Sequence, residues 1–422
     1  MSLVKNVEYL RRLSKLHDIN GFANGNGFAN SLGDITRSLT GADKSPLVEV
    51  TGFGSNPGDL RMLSFVPDYL QRPPALVVVL HGCGQTAAGY DVGAGWSALA
   101  ERYGFALLMP EQQRSNNAQN CFNWFNPEDI TRDRGEACSI RQMIARMIAA
   151  HGVDKHRVFV TGLSAGGAMT SAMLATYPEM FAAGAVIAGL PYGVASNVRE
   201  ALNGMLQSPP RPAGELGDLV RNASSHRGPW PKLSVWHGSA DRTVNPANAN
   251  EIVKQWLDVH HLAAPPMSTG MVDGYPHQVW WNADGETTIE SYTITDMAHG
   301  TPLGIGDDDE RYGVEGAFLI EAGISSSHHI ARFFGLTERI TRPRHVEAPA
   351  KAIAAKPAAQ PTAPLRTPEV AAVLQPISTL QRTAKPKADP KPQPQAEPRP
   401  RRRAIDVCAV ITRALTAAGL VK

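Results

Sequence analysis

Four cysteines in 422 residues, at positions 83, 121, 138 and 408, are too few and too scattered for a zinc cluster or a disulfide-dense scaffold. An excess of charge is also lacking: 41 Lys+Arg against 39 Asp+Glu leave a net charge of +2. No apolar run is long enough to cross a bilayer. The N-terminal stretch "MSLVKNVEYLRRLSKLHDI" has no continuous apolar segment of the kind an export signal uses. Val4, Val7, Leu10 and Leu13 recur there at helical spacing among charges, which predicts an amphipathic helix. Cytoplasm is the default expectation on that basis.

What is present is ample for a large core: 43% of the residues are hydrophobic. The small net charge hides an asymmetry. Between Arg342 and Arg403 thirteen Lys/Arg face four Asp/Glu, a local +9, which leaves about −7 elsewhere. The folded part is thus mildly acidic and no nucleic-acid partner is expected for it. Residues 341–400 also hold thirteen prolines. The organisation expected is therefore a helix and Gly/Asn-rich connection (1–44), a catalytic-sized domain (45–336), an extended Pro/Ala/Lys-rich linker (337–403) and a terminal helix (404–422). In that helix Ile405, Cys408, Ile411, Leu415 and Ala418 share one stripe. Beside Arg401–Arg403, such a stripe suits docking on an apolar or anionic surface, and a tethering role is one hypothesis for the tail.

Within 45–336, "ALVVVL" (75–80), "GFALLMP" (104–110), "RVFVTG" (157–162), "AAGAVIAG" (182–189) and "KLSVWHG" (232–238) are short apolar runs of strand length. A strand–turn–strand precedes them over 47–67, and "TTIESYTIT" (287–295) is expected as the last strand, at an edge. Helical patterns fill 93–102, 136–150, 165–177, 247–258 and 314–334, and 191–229 is an irregular insertion. The alternation predicts an α/β fold with a mostly parallel central sheet flanked by helices.

Gly162-Leu163-Ser164-Ala165-Gly166 follows the third of these strands and opens a helical pattern. A reactive serine on a sharp strand-to-helix turn needs small residues on both sides, and they are here. A serine nucleophile also needs a base, and the base an orienting carboxylate, in the chain order serine, acid, histidine. Asp241 follows "LSVWHG" and His299 follows the last strand, so both fall at strand ends. Asp296 competes as the acid and His237 as the base, though His237 precedes the acid. The oxyanion donors expected are the N–H groups of Ala165 and of Cys83, with Gly82 as the alternative in the loop His81-Gly82-Cys83-Gly84-Gln85. His81 is expected to be structural. Phe122, Trp124 and Trp236 are candidates for the substrate pocket, with Phe125, Trp280 and Trp281 behind them. Neither a metal nor a cofactor is implied, because the pairs His260-His261 and His328-His329 lack convergent ligands.

With these residues assembled, the chain resembles the polyhydroxybutyrate depolymerase family of esterases in the α/β-hydrolase superfamily, together with feruloyl and acetylxylan esterases. The matching stretches are "LHGCGQ" (80–85), "CFNWF" (121–125), "RGEACSI" (134–140), "VFVTGLSAGGAM" (158–169), "WHGSADRTVNP" (236–246), "MAHG" (297–300) and "GISSSHHIARFFGL" (323–336). The resemblance spans about 45–336. It implies serine ester hydrolysis with Ser164, Asp241 and His299 at the triad positions and "LHGCGQ" as the oxyanion loop. In secreted relatives, cysteines resembling Cys83 and Cys121 are often paired. The same bridge is implied here, with two buried thiols as the cytoplasmic alternative. Export is the corresponding alternative to the cytoplasm. The substrate expected is a small, oligomeric or polymeric ester: short acyl or hydroxyacyl esters including 3-hydroxybutyrate oligomers or polymer, or else feruloyl or acetylxylan esters.

Overall fold

The structure, a computed structural model, describes residues 45–304 and 312–338. The expectations for 1–44, for the linker beyond 338 and for the helix at 404–422 lie outside the described residues. Along the chain run β1 (Val48–Val50), β2 (Arg61–Phe65), β3 (Leu76–Leu80), α1 (Ala87–Ala94), α2 (Trp96–Tyr103), β4 (Ala106–Glu111), α3 (Pro127–Ile130) and α4 (Gly135–His151). Then come β5 (Val158–Leu163), α5 (Ala165–Thr176), β6 (Ala183–Ile187), α6 (Val198–Gln207), α7 (Ala213–Asn222), β7 (Lys232–Gly238) and α8 (Ala247–Val259). Last are β8 (Ser268–Val272), β9 (Tyr275–Trp281), β10 (Thr287–Ile294), β11 (Thr301–Leu303), β12 (Leu319–Glu321) and α9 (Ser326–Phe333).

Ten strands form one sheet in the order β1-β2-β4-β3-β5-β6-β7-β10-β9-β8. From β4 to β10 all neighbours are parallel, and antiparallel strands finish both edges. Every residue of β3, β4, β5 and β6 is buried. Alternate side chains divide between two cores. Leu76, Val78 and Leu80 join α4, α5 and α8 on one face, and Val77 and Val79 join α1, α2 and α9 on the other. The double covering explains why these strands are continuous apolar runs rather than alternating ones. This is a mostly parallel sheet between helices, consistent with an α/β-hydrolase fold. Among the described residues no helix is long and apolar enough to cross a membrane.

Three local expectations change. The strand at 287–295 lies inside the sheet, because a hairpin at 268–281 adds β9 and β8 beyond it. The hairpin turns at Asp273-Gly274, both at positive φ, the two-residue geometry that an Asp-Gly pair favours. The helix expected at 93–102 is two helices, separated at Gly95, whose backbone abuts Tyr312 and Gly313. The helix expected at 314–334 holds instead a tight turn at Gly316–Leu319, then β12, and only then α9. The insertion folds as α6 and α7.

Candidate active site

The strand register brings three strand ends level. β6 pairs Ile187 with both Leu163 and Trp236, and β10 pairs Ile294 with Gly238. The residues that follow β5, β7 and β10 therefore leave from the same edge of the sheet. Ligands of open α/β sheets bind outside the carboxyl ends of the strands.

Ser164 is the single residue between β5 and α5. Its backbone is at φ 58°, ψ −116°, outside the regions an L-residue normally occupies. A sharp turn of this kind raises the side chain above the sheet. It also needs the turn to pass close to β3. A Cβ on Gly162 would lie 2.5 Å from the Gly166 carbonyl, and one on Gly166 would collide with the carbonyl of Leu80. The two glycines are thus required by space.

After β7, Asp241 is buried and fully hydrogen-bonded. Its Oδ1 accepts from the N–H groups of Thr243 (2.8 Å) and Val244 (2.9 Å). Its Oδ2 lies 2.7 Å from His299 Nδ1 and 3.2 Å from His237 Nε2. Burial alone would raise the carboxyl, but the hydrogen bonds from His237 and His299 outweigh it and hold Asp241 well below the usual carboxylate range. His237 also reaches the carbonyl of Val244 at 2.9 Å, while its Nδ1 is buried without a partner. It is therefore a second histidine on the acid, placed by the same loop. Asp296 is exposed, and its N–H is bonded to Ser239 Oγ, so it is not the carboxylate on His299. The Asp241–His299 contact is made; no hydrogen bond joins His299 to Ser164 Oγ.

The loop after β3 is organised from within. Gly82 N–H donates to Gln85 Oε1 (2.8 Å) and Gly84 N–H to the carbonyl of Gln119 (2.7 Å). Gly82 is thus occupied, and the Cys83 N–H between them has no such acceptor. The N–H of Ala165, the first residue of α5, has no acceptor within its helix either. Cys83 and Cys121 are joined by a disulfide. Beneath the loop, Gln112 N–H donates to His81 Nε2, so His81 is structural. Gln112 Nε2 donates to Glu136 at 2.6 Å, and Asn123 donates to Glu136 through both its backbone N–H and its side chain. Burial, then the neighbouring Asp129 carboxylate, push Glu136 up to about 8, against these three donors. Sequence reasoning did not single out Glu136, although "RGEACSI" contains it.

The aromatic candidates separate. Phe122 and Trp236 are fully buried and pack in the core. Phe122 lies against His81, and Trp236 stacks on Tyr292 with ring centroids 3.7 Å apart. Trp124 keeps 7% of its surface and meets Phe125 edge-on. Trp280 is a core residue, and Trp281 is exposed on the outer hairpin. Phe318, which sequence reasoning placed in a helix, stands with its ring edge-on to His299 at 5.8 Å. A cavity of about 50 Å³ between the insertion and α8, lined by Ser208, Arg211, Asn248 and Glu251 among others, touches none of these groups. Among the described residues no cluster of His, Cys, Asp or Glu could hold a metal ion.

A strained serine between strand and helix and an Asp–His pair stand on the same sheet edge, the parts that a serine hydrolase requires. Residues 63–266 match the family described as "Esterase PHB depolymerase". The chain is 46% identical over 303 residues to poly(3-hydroxyalkanoate) depolymerase C of Paucimonas lemoignei, covering 72% of this chain and 73% of that one. It is 34% identical over 315 residues to feruloyl esterase B of Neurospora crassa, covering 72% of this chain and 97% of that one. Among solved structures, acetyl xylan esterase from Aspergillus awamori superposes with a TM-score of 0.58 at 26% identity, covering 69% of this chain and 99% of that one. The chain belongs to the PHB depolymerase family of esterases, and it is a carboxylic ester hydrolase of the serine-hydrolase type.

Proposed function

We propose that Ser164, Asp241 and His299 are the catalytic triad of an esterase for short acyl and hydroxyacyl esters, oligomers or polymers of 3-hydroxybutyrate among them. The observation that carries this is the 2.7 Å contact between the buried Asp241 and His299 at the sheet edge where Ser164 occupies its strained turn. His299 takes the Ser164 proton as the oxygen attacks the ester carbonyl. Catalytic hydrogen bonds are often open in the free enzyme and close on substrate, so serine and histidine need meet only then. Asp241 fixes the tautomer that carries its proton on Nδ1 and stabilises the imidazolium. His237, donating to the same Oδ2, holds the carboxylate in place. The N–H groups of Cys83 and Ala165 donate to the developing oxyanion, Gly82 being engaged elsewhere. His299 then protonates the leaving alcohol. Water, activated by the same imidazole, releases the acid from the acyl-enzyme.

The hydroxyacyl substrate is favoured by the 46% identity to the Paucimonas depolymerase. A feruloyl or acetylxylan esterase is the second reading, favoured by the near-complete coverage of the Neurospora protein. The Cys83–Cys121 bridge supports work in an oxidising compartment rather than the cytoplasm. The test is hydrolysis of p-nitrophenyl acetate, butyrate and octanoate, then of 3-hydroxybutyrate oligomers and methyl ferulate, with Ser164→Ala as control. Butyrate and oligomer turnover that vanishes in the variant is expected. Faster turnover of methyl ferulate than of the oligomers would transfer the assignment to the second reading.

A further inference from the structure

The turn before β12 carries a residue that its geometry does not favour. Gly316 and Leu319 close the turn through two mutual backbone hydrogen bonds, at 3.1 and 3.2 Å. Its third residue is Phe318, at φ +62°. A third position at positive φ belongs to glycine or asparagine, and a bulky side chain there is an outlier. Neither core burial nor a covering neighbour explains the exception, because 45% of Phe318 is exposed. Its ring stands against the His299 imidazole, with centroids 5.8 Å apart and the two planes inclined at 73°.

The turn also touches the oxyanion loop. Gln85, whose Oε1 holds the Gly82 N–H, donates through Nε2 to the carbonyl of Ala317 at 3.3 Å. The carbonyl of Phe318 accepts from Thr301 N–H at 2.8 Å, two residues past His299. The turn is therefore braced on both the oxyanion loop and the histidine segment, and it presents one apolar ring to solvent between them. Strained, exposed side chains held by an over-determined backbone cluster at ligand contacts.

The chemistry says which part of an ester would meet this ring. The carbonyl oxygen is directed to the N–H groups of Cys83 and Ala165. The leaving oxygen must lie beside the His299 imidazole to be protonated. A group against that imidazole at the open rim therefore faces the alcohol portion. We propose that Phe318 is the substrate-contacting residue for the alcohol side of the ester, and that it gives the enzyme its preference for apolar or aromatic leaving groups. The proposal rests on the triad assigned above.

The experiment keeps the acyl group fixed and varies the alcohol. Phe318→Ala, Phe318→Gly and Phe318→Tyr are compared with wild type on p-nitrophenyl butyrate and methyl butyrate. Deacylation of the butyryl-enzyme is followed in a single turnover. The glycine variant suits the backbone, so loss of fold is not expected, and melting temperatures check this. For Ala and Gly, kcat/KM on the aryl ester should fall about tenfold, while the methyl ester changes little. Deacylation should be unchanged, because the alcohol has already left, and Tyr should retain the preference. An equal loss on both esters with slowed deacylation would mean that Phe318 only aims His299, and would overturn the proposal. No change on either ester would overturn it as well. A fluorophosphonate probe followed by peptide mapping distinguishes the two levels. Label on Ser164 with no alcohol-dependent effect sinks the Phe318 proposal alone, whereas no label on wild-type Ser164 sinks the triad and this proposal together.

Discussion

The two halves of the candidate site are held by different forces. Ser164, Asp241 and His299 follow the ends of parallel strands, and the register of β5, β6, β7 and β10 sets where they stand. The oxyanion loop leaves β3 at Leu80, which pairs with Gly162 of β5, but beyond that strand end no ladder holds it. The loop 81–85 and the segment 121–125 are held by the Cys83–Cys121 bridge and by three linked side chains, the buried Gln112 and Glu136 and the half-buried Asn123. One side is fixed by the backbone ladder, the other by individual side chains. The first should fail only when a reacting group is removed. The second should loosen by degrees as single ties are cut.

The largest effect is expected on the ladder side. Asp241→Asn keeps the shape but favours the wrong imidazole tautomer, and should lower kcat roughly ten-thousand-fold. Steady-state assays on p-nitrophenyl butyrate, with circular dichroism to show an intact fold, check this. A loss below tenfold would mean that another carboxylate serves His299. The next effect comes from the bridge. Cys83→Ser with Cys121→Ser should lower stability by about 2–5 kcal/mol and reduce kcat more than it changes KM. Denaturant titration and kinetics on the double variant read both. A variant of unchanged stability and rate would show that the polar ties suffice.

A smaller effect, with a definite sign, comes from Glu136. Its value rises from 4.5 in the unfolded chain to about 8 in the fold. The folded state therefore holds this proton more tightly. The stability it contributes is complete below the unfolded value and is lost as pH rises through about 8. Glu136→Gln should flatten that loss. The melting temperature should fall less between about pH 5 and about pH 9 in the variant than in wild type. Equal slopes would show that Glu136 is not the group responsible.

The same contrast decides what was legible in the sequence. A parallel strand covered on both faces must be an apolar run, so β3, β5 and β7 are legible, and the candidate residues are those that their position after the strands picks out. The glycines around Ser164 were visible because backbone contact with Leu80 excludes a side chain. The rim was not legible in this way. Phe122 and Trp236 share the composition of pocket residues, but their burial follows from packing on His81 and Tyr292, which no local pattern encodes. Phe318 was hidden by the opposite error. Apolar spacing over 314–334 suggested a helix, while its backbone bonds close a turn. Asp273-Gly274 was a readable hairpin signal between two weak strands, and missing it placed β10 at the edge. Chain order presents His237 only as a rival base, because it says nothing about two imidazoles sharing one oxygen.

The most direct test is to quench the enzyme in acid during turnover of p-nitrophenyl acetate and map the acetylated peptide. The account predicts one acetyl group, on Ser164, that disappears when substrate is exhausted and never forms in Ser164→Ala. A transient acetyl group on another residue, or turnover that persists at the wild-type rate without Ser164, would contradict it.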